Sequence, residues 1–199
     1  VQDLNVFRQF MIAVAARTGE VLNYSSIASE IGKDMGTVKN WISILEASGI
    51  VYLLEPYTSS ILKRATKSPK LYFRDTGLVC YLTRWLTAEN LAYGAMSGHI
   101  FETFVVSEIL KSFSNEGMEY RHFVSYYRGR DKKKVKEDGK SVEVEAEIDL
   151  IIEENGTLYP IEIKKNERSK AIMTAAFSVL DQIPGKKRGT GAIVCNCPE

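Results

Sequence analysis

The sequence predicts a mixed α and β protein in two parts, a helical first half and a sheet-bearing second half. Three observations carry that expectation. Apolar residues recur at spacings of three and four through roughly the first fifty positions, the period of a helix face. Apolar and charged residues alternate on both sides of Asn155-Gly156, the period of paired strands around a tight turn. A further helical stretch and a further apolar run follow that pair, an order that lays helices on the faces of a sheet.

In the first half, Leu4, Phe7, Phe10, Met11 and Val14 fall on one face of a helix ending near Gly19. A second helix follows Asn23 as its cap, with Ile27, Ala28 and Ile31 inward and Gly32 as its stop. A third runs from about Met35 to Ser48, burying Val38, Trp41, Ile42 and Leu45, and Gly49 ends it. Ile50 to Leu54 is a strand closed by Pro56. Helix, helix–turn–helix, then strand is the winged-helix pattern, whose second motif helix would enter a DNA groove. The outer face of the third helix offers Thr37, Lys39, Asn40 and Ser43. Asn40 suits an adenine edge and Lys39 a phosphate, which makes Lys39, Asn40 and Ser43 the DNA-binding candidates. Residues 1–57, however, hold four basic against six acidic side chains. Phosphate neutralisation supplies much of DNA affinity, so a packing or protein-contact role ranks ahead of DNA reading.

Lys70 to Phe73 is a short strand, and Asp75 or Thr76 caps a helix through Leu78, Val79, Tyr81 and Leu82. Residues 87–98, with Asn90, Gly94 and Gly98, mark a boundary. The expected organisation is a winged-helix domain at 1–68, a connecting strand and helix at 69–98, and a sheet domain at 99–199.

The second domain opens on a helix from about His99 to Phe113. Val105, Val106, Ile109 and Phe113 cluster around the direction of Glu102, while Lys111 lies opposite. A carboxylate within an apolar stripe must be paired, protonated or cation-bound, because a bare buried charge is expensive. Phe123 to Tyr127 is a strand, and a basic stretch at 128–140 leads to Val142 and Val144. The Asn155-Gly156 turn then sets a register that pairs Glu154 with Thr157 and Asp149 with Glu162. Strand alternation puts Asp149, Glu162 and Lys164 on one face and Ile148, Leu150, Ile161 and Ile163 on the other. Two carboxylates opposite one another repel unless a cation sits between them. Mg²⁺ takes such oxygens together with several waters, and a nearby ammonium can orient a water. The bland alternative is a solvated charge stripe in which Lys164 balances the acids. A helix from about Ser169 to Leu180 and a strand at Gly191 to Val194 complete the layer.

Composition bounds the rest. Net charge is +1, which singles out no polyanionic partner, and a charge run such as Arg121 to Lys140 is usually a solvated surface. No window reaches about 18 uninterrupted apolar residues, so no transmembrane helix and no membrane partner are expected. The start at Val1-Gln2-Asp3 shows no secretory signal, and the chain reads as a fragment of a longer protein. Cys80, Cys195 and Cys197 form no disulfide framework; incidental thiols in a cytoplasmic protein are expected, ahead of a metal-binding Cys195-x-Cys197 pair.

The run Lys70-Leu71-Tyr72-Phe73-Arg74-Asp75-Thr76-Gly77-Leu78 resembles the K-x-Y-F-x-D-T-G-L signature of a family of bacterial and archaeal AAA+-type ATPases. In that family an ATPase domain is followed by a winged helix and a carboxy-terminal DUF4143 domain. Later signatures are similar too: Gly98-His99-Ile100-Phe101-Glu102-Thr103-Phe104-Val105 with Glu108, Glu147-Ile148-Asp149, and Glu162-Ile163-Lys164. The resemblance implies a restriction-endonuclease-like fold for the second domain. It also implies a PD-(D/E)xK-type site of Asp149, Glu162 and Lys164 with Glu102 upstream. Mg²⁺ or Mn²⁺ would be held by Asp149, Glu162 and Glu102. The segment at 128–146 is longer than the family's connection, and the chain contains no Gly-x-x-x-x-Gly-Lys-Ser/Thr loop. ATP would therefore bind only in an amino-terminal ATPase domain outside this chain, which would be its partner. Three functions stay open: a Mg²⁺-dependent DNA nuclease module, a non-catalytic regulatory or partner-binding module, and a DNA-binding regulator. Oligomeric state is not readable from the sequence.

Overall fold

A computed structural model describes residues 3–58, 68–131, 144–165 and 171–196. The basic positions Lys63, Arg64, Lys67, Lys132, Lys133, Lys134, Lys136 and Lys140, and the strand expected at Val142, lie outside the described residues. The protein is a mixed α+β chain of helices with a two-stranded sheet and, separately, a five-stranded mixed sheet. It divides into two compact units that interleave along the chain. One holds Val1–Leu54 and Ser68–Glu116, the other Glu55–Lys67 and Gly117–Glu199. The helix expected to open the second domain therefore packs in the first unit.

In the first unit, α1 spans Leu4–Ala15, with the Asp3 carboxylate accepting from the N–H groups of Asn5 and Val6. Helix α2 spans Tyr24–Ile31, capped by Asn23 and stopped by the left-handed Gly32, as expected from the sequence. Helix α3 spans Met35–Ala47, with Asp34 accepting from the Thr37 N–H at 2.9 Å. Strands β1 (Val51–Leu54) and β2 (Lys70–Phe73) pair antiparallel, from Val51 opposite Phe73 to Leu54 opposite Lys70. Helices α4 (Thr76–Thr83), α5 (Ala88–Tyr93) and α6 (Ser97–Asn115) follow. Asp75 caps α4 through the N–H groups of Gly77 and Leu78.

Periodic apolar positions become one core of Phe10, Val14, Ile27, Ile42, Leu45, Leu71, Phe73, Val79 and Ile100. Burying each large side chain contributes about 1.5–3 kcal/mol. Trp41 meets the rings of Phe7 and Phe10 at 5.3 and 5.0 Å, edge on. Two expectations change. Helix α1 stops at Ala15, and the chain turns so that the Gly19 N–H donates to the Leu71 carbonyl at 2.7 Å. Leu4 is 76% exposed, and Val6 and Phe7 are the first residues of the helix to pack against the core.

In the second unit, β3 (Val124–Asp131), β4 (Val144–Glu154) and β5 (Thr157–Lys164) form an antiparallel meander. A 3₁₀ segment, Ala171–Gln182, then returns the chain to β6 (Lys187–Arg188) and β7 (Ala192–Cys195), both parallel to β5. That segment winds as 3₁₀ where the sequence predicts an ordinary helix. Strand β5 thus lies between β4 and β7, which puts Glu162 and Lys164 inside the sheet. Tyr57, Ile148, Ile151, Leu158, Phe177 and Leu180 form the core of this unit. Among the described residues, no helix is long and apolar enough to cross a membrane. Cys80 is free, and partial burial pushes its thiol pKa up. Cys195 is disulfide-bonded, which corrects the expectation of simple thiols; bonding depends on spatial approach that composition does not encode.

Candidate functional site

The β4–β5 turn is built from residues that tolerate left-handed backbone. Asn155 has φ 48° and Gly156 φ 78°, the conformation a two-residue type I′ turn demands at both positions. The register is the one the sequence predicts, from Glu154 opposite Thr157 to Leu150 opposite Ile161. At Asp149 the ladder opens. Instead of continuing the pairing, the Ile163 N–H donates to Asp149 Oδ2 at 2.8 Å.

The other edge of β4 explains why. Between Ser125 opposite Ile151 and Tyr127 opposite Ile148, the register of β3 against β4 shifts by one residue. Asp149 and Leu150 therefore stand against Tyr126 alone, as in a β-bulge. Such an insertion turns a side chain out of the regular alternation. Backbone groups of Tyr126 bond elsewhere: its carbonyl accepts from the Tyr57 N–H, and its N–H donates to the Glu55 carbonyl. The bulge was not legible, because nothing in the local sequence of Ile148-Asp149-Leu150 marks an extra residue.

Asp149 and Glu162 are buried, at 5% and 7% exposure, so this face is no solvated charge stripe. Lys164 Nζ lies 2.7 Å from Glu162 Oε1 and 3.7 Å from Asp149 Oδ2. Its side chain is 41% exposed and spans from solvent to the two acids. Lys164 thus reaches both carboxylates with one ammonium from the solvent side. Burying a carboxylate is costly unless it is paired or cation-bound, and a cluster of this make-up suits a cation. The structure thus brings together three of the four residues singled out for chemistry.

Glu102 is partnered within the first unit. It lies on α6, where Ile100, Thr103, Val106 and Leu110 form the buried stripe and Glu102 flanks it. Its Oε1 accepts from the Tyr72 hydroxyl at 2.7 Å and lies 3.4 Å from Lys70 Nζ. Lys70 and Tyr72 are themselves buried, at 3% and 0% exposure. Alongside, the Thr18 and Thr103 hydroxyls meet at 2.9 Å, and Thr103 donates to the His99 carbonyl. A Cβ at Gly19 (φ 81°) would stand 3.4 Å from His99 Nδ1 and 3.7 Å from Glu102 Oε1. Sequence reasoning missed Lys70 and Tyr72 as partners of Glu102. Strand alternation puts Lys70 and Tyr72 on one face, but which helix that face meets is not local information. Among the described residues, no group of three or more His, Cys, Asp and Glu side chains lies close enough to hold a metal ion.

On α3, Lys39, Asn40 and Ser43 are exposed, beside Met35 and Ile44 at 46% and 53% exposure. Ser43 donates to the Asn40 carbonyl, and Lys39 Nζ lies 5.6 Å from the centre of the Tyr24 ring. The Thr37 hydroxyl and N–H hold the Asp34 carboxyl below its ordinary pKa, fixing a negative charge at the start of this helix.

The fold and these clusters define a mixed α+β protein with a buried acid–lysine cluster at a bulged hairpin. Residues 1–89 match the model of a domain of unknown function, DUF8612. The uncharacterized protein Rv2008c of Mycobacterium tuberculosis and the uncharacterized protein Mb2031c of Mycobacterium bovis are each 24% identical to the chain over 163 residues. Those residues cover 82% of this chain and 33% of either relative, so the chain spans about a third of the relatives' length. No solved structure matches it.

Proposed function

We propose that the second unit is a divalent-cation-dependent phosphodiesterase module of the restriction-endonuclease-like kind, acting on DNA. The chain would form the carboxy-terminal part of a AAA+-type ATPase resembling the DUF4143 family. The single observation that carries this reading is the buried Asp149–Glu162 pair with Lys164 between solvent and acids. The element order supports it: helix, antiparallel meander, 3₁₀ crossover and a strand parallel to β5.

The donor set fits Mg²⁺ or Mn²⁺. Mg²⁺ keeps several waters and takes only one or two carboxylates together with substrate phosphate oxygens, and Asp149 and Glu162 supply two. Bound there, the ion would neutralise charge developing on the phosphate oxygens. Lys164 would donate to a water and hold it in line with the scissile bond. Glu102 enters as the fourth residue through the resemblance alone. In the first unit, the winged-helix reading assigns Lys39, Asn40 and Ser43 to duplex contact.

A second reading is favoured by the close ion pair. The 2.7 Å Lys164–Glu162 contact and the Ile163–Asp149 hydrogen bond give both acids partners within the protein, as in a purely structural cluster. Thermal denaturation with and without Mn²⁺ separates the two. Under the first reading the ion stabilises the chain by about 2.7 kcal/mol at a hundredfold excess over Kd, and Asp149→Ala abolishes that gain. A melting temperature indifferent to Mn²⁺ and Mg²⁺ leaves the structural reading standing. Plasmid nicking by the longer protein with Mn²⁺ and ATP, lost on Lys164→Ala, then tests the reaction itself.

A further inference from the structure

We propose that the outer face of α1 and the end of α4 dock an acidic amphipathic helix of a partner protein. The proposal is independent of the hairpin and its metal chemistry. A cleft of about 160 Å³ lies within the first unit, lined by Arg8, Ile12, Tyr81, Leu82, Arg84 and Leu86. Its apolar members face solvent to an unusual degree: Tyr81 and Leu86 are each 68% exposed and Ile12 is 38% exposed. Leu4, 76% exposed, shares a helical face with Arg8 and Ile12 through steps of four residues. Exposed apolar side chains gathered around one cleft are the kind of surface a partner covers.

The charged side chains that line it are of one sign. Both charged lining residues are arginines, and among the described residues neither Arg8 nor Arg84 forms an ion pair. Positive sign here runs against the surrounding segment, since residues 1–57 carry more acid than base. Arg84 is also costly in backbone terms. It caps α4 in the left-handed conformation, φ 63° and ψ 28°, where glycine or asparagine is the usual residue. An L side chain kept at such a position points to a use for the guanidinium.

Apolar anchors flanked by two uncompensated guanidiniums complement a helix with leucine or phenylalanine on one face and carboxylates beside it. DNA fits less well, because the lining is mostly apolar and offers two cations only. An anionic membrane is held by clusters of about four or more cations, which this face lacks.

The test uses the 199-residue chain and a synthetic peptide set. Helical peptides of about four turns carry leucine or phenylalanine at steps of three and four, flanked either by Glu and Asp or by Gln and Asn. Fluorescence anisotropy reports binding; phosphatidylserine vesicles and a single-stranded oligonucleotide serve as rival probes. We expect acidic peptides to bind about tenfold more tightly than their amide counterparts. Arg84→Gly should weaken that binding by about tenfold while leaving the melting temperature unchanged or higher, since glycine adopts this backbone freely. Leu86→Ser, at an exposed site, should abolish binding without unfolding the chain. The proposal is overturned if no acidic peptide binds at roughly 1 mM, if Arg84→Gly leaves affinity unchanged, or if vesicles or oligonucleotide bind this face in preference.

Discussion

Glu102, Lys70 and Tyr72 show how a single buried charge organises its surroundings. The Lys70 side chain is 4% exposed, and its Nζ lies 3.4 Å from Glu102 Oε1. Glu102→Gln would replace the carboxylate of that contact with an amide. We expect a loss of about 3 kcal/mol by urea denaturation, because removing one partner of a buried pair costs far more than the pair contributes. Lys70→Met combined with Glu102→Gln should recover a large part of that loss, and a double-mutant cycle gives the coupling directly. Additive effects would show that the two groups are independent. At the hairpin, Lys164 is half solvated, so Lys164→Met should cost less, about 1–2 kcal/mol. If the cation reading holds, Mn²⁺ should restore more stability to that variant than to the parent.

At the scale of elements, two local devices set positions further along the chain. The Asn155-Gly156 turn fixes the β4–β5 register, and both residues have positive φ. Gly156→Ala should destabilise by about 1 kcal/mol and weaken hydrogen-exchange protection in β4 and β5. Protection unchanged at Leu150 and Ile161 would show that the register does not rest on the turn. Helix α3 starts at Asp34, whose folded-state pKa is lowered chiefly by the Thr37 hydroxyl and next by its N–H. A depressed carboxyl stabilises the folded state above the ordinary value near 3.9, and that contribution is lost as pH falls through the folded value. Asp34→Asn should therefore flatten the acid limb of stability below about pH 4 while leaving the cap in place. The Asp34 cap is as local but was missed; the turn was legible, because its chemistry depends on neighbours in sequence. The bulge at Asp149 was not, since it depends on how β3 lies against β4.

At the scale of the whole molecule, the chain crosses between its two units at positions 54, 67 and 116. Residues 1–116 contain every segment of the first unit. Residues 117–199 lack Tyr57, which is 7% exposed in the core of the second unit, and the backbone bonds that residues 55–57 make with Tyr126. A fragment of residues 1–116 should accordingly unfold cooperatively, whereas one of residues 117–199 should not. Circular dichroism melts of both fragments check this, and a cooperative melt of the shorter one would refute it. The sequence by itself determined the helices of the first half and the β4–β5 register from Glu154–Thr157 to Leu150–Ile161, because periodicity, caps and tight turns are local. Only the tertiary structure decided which unit α6 joins, that Lys70 and Tyr72 answer Glu102, and that a bulge opens the ladder at Asp149. Those outcomes are set by contacts between segments far apart along the chain, whose energies no local pattern encodes.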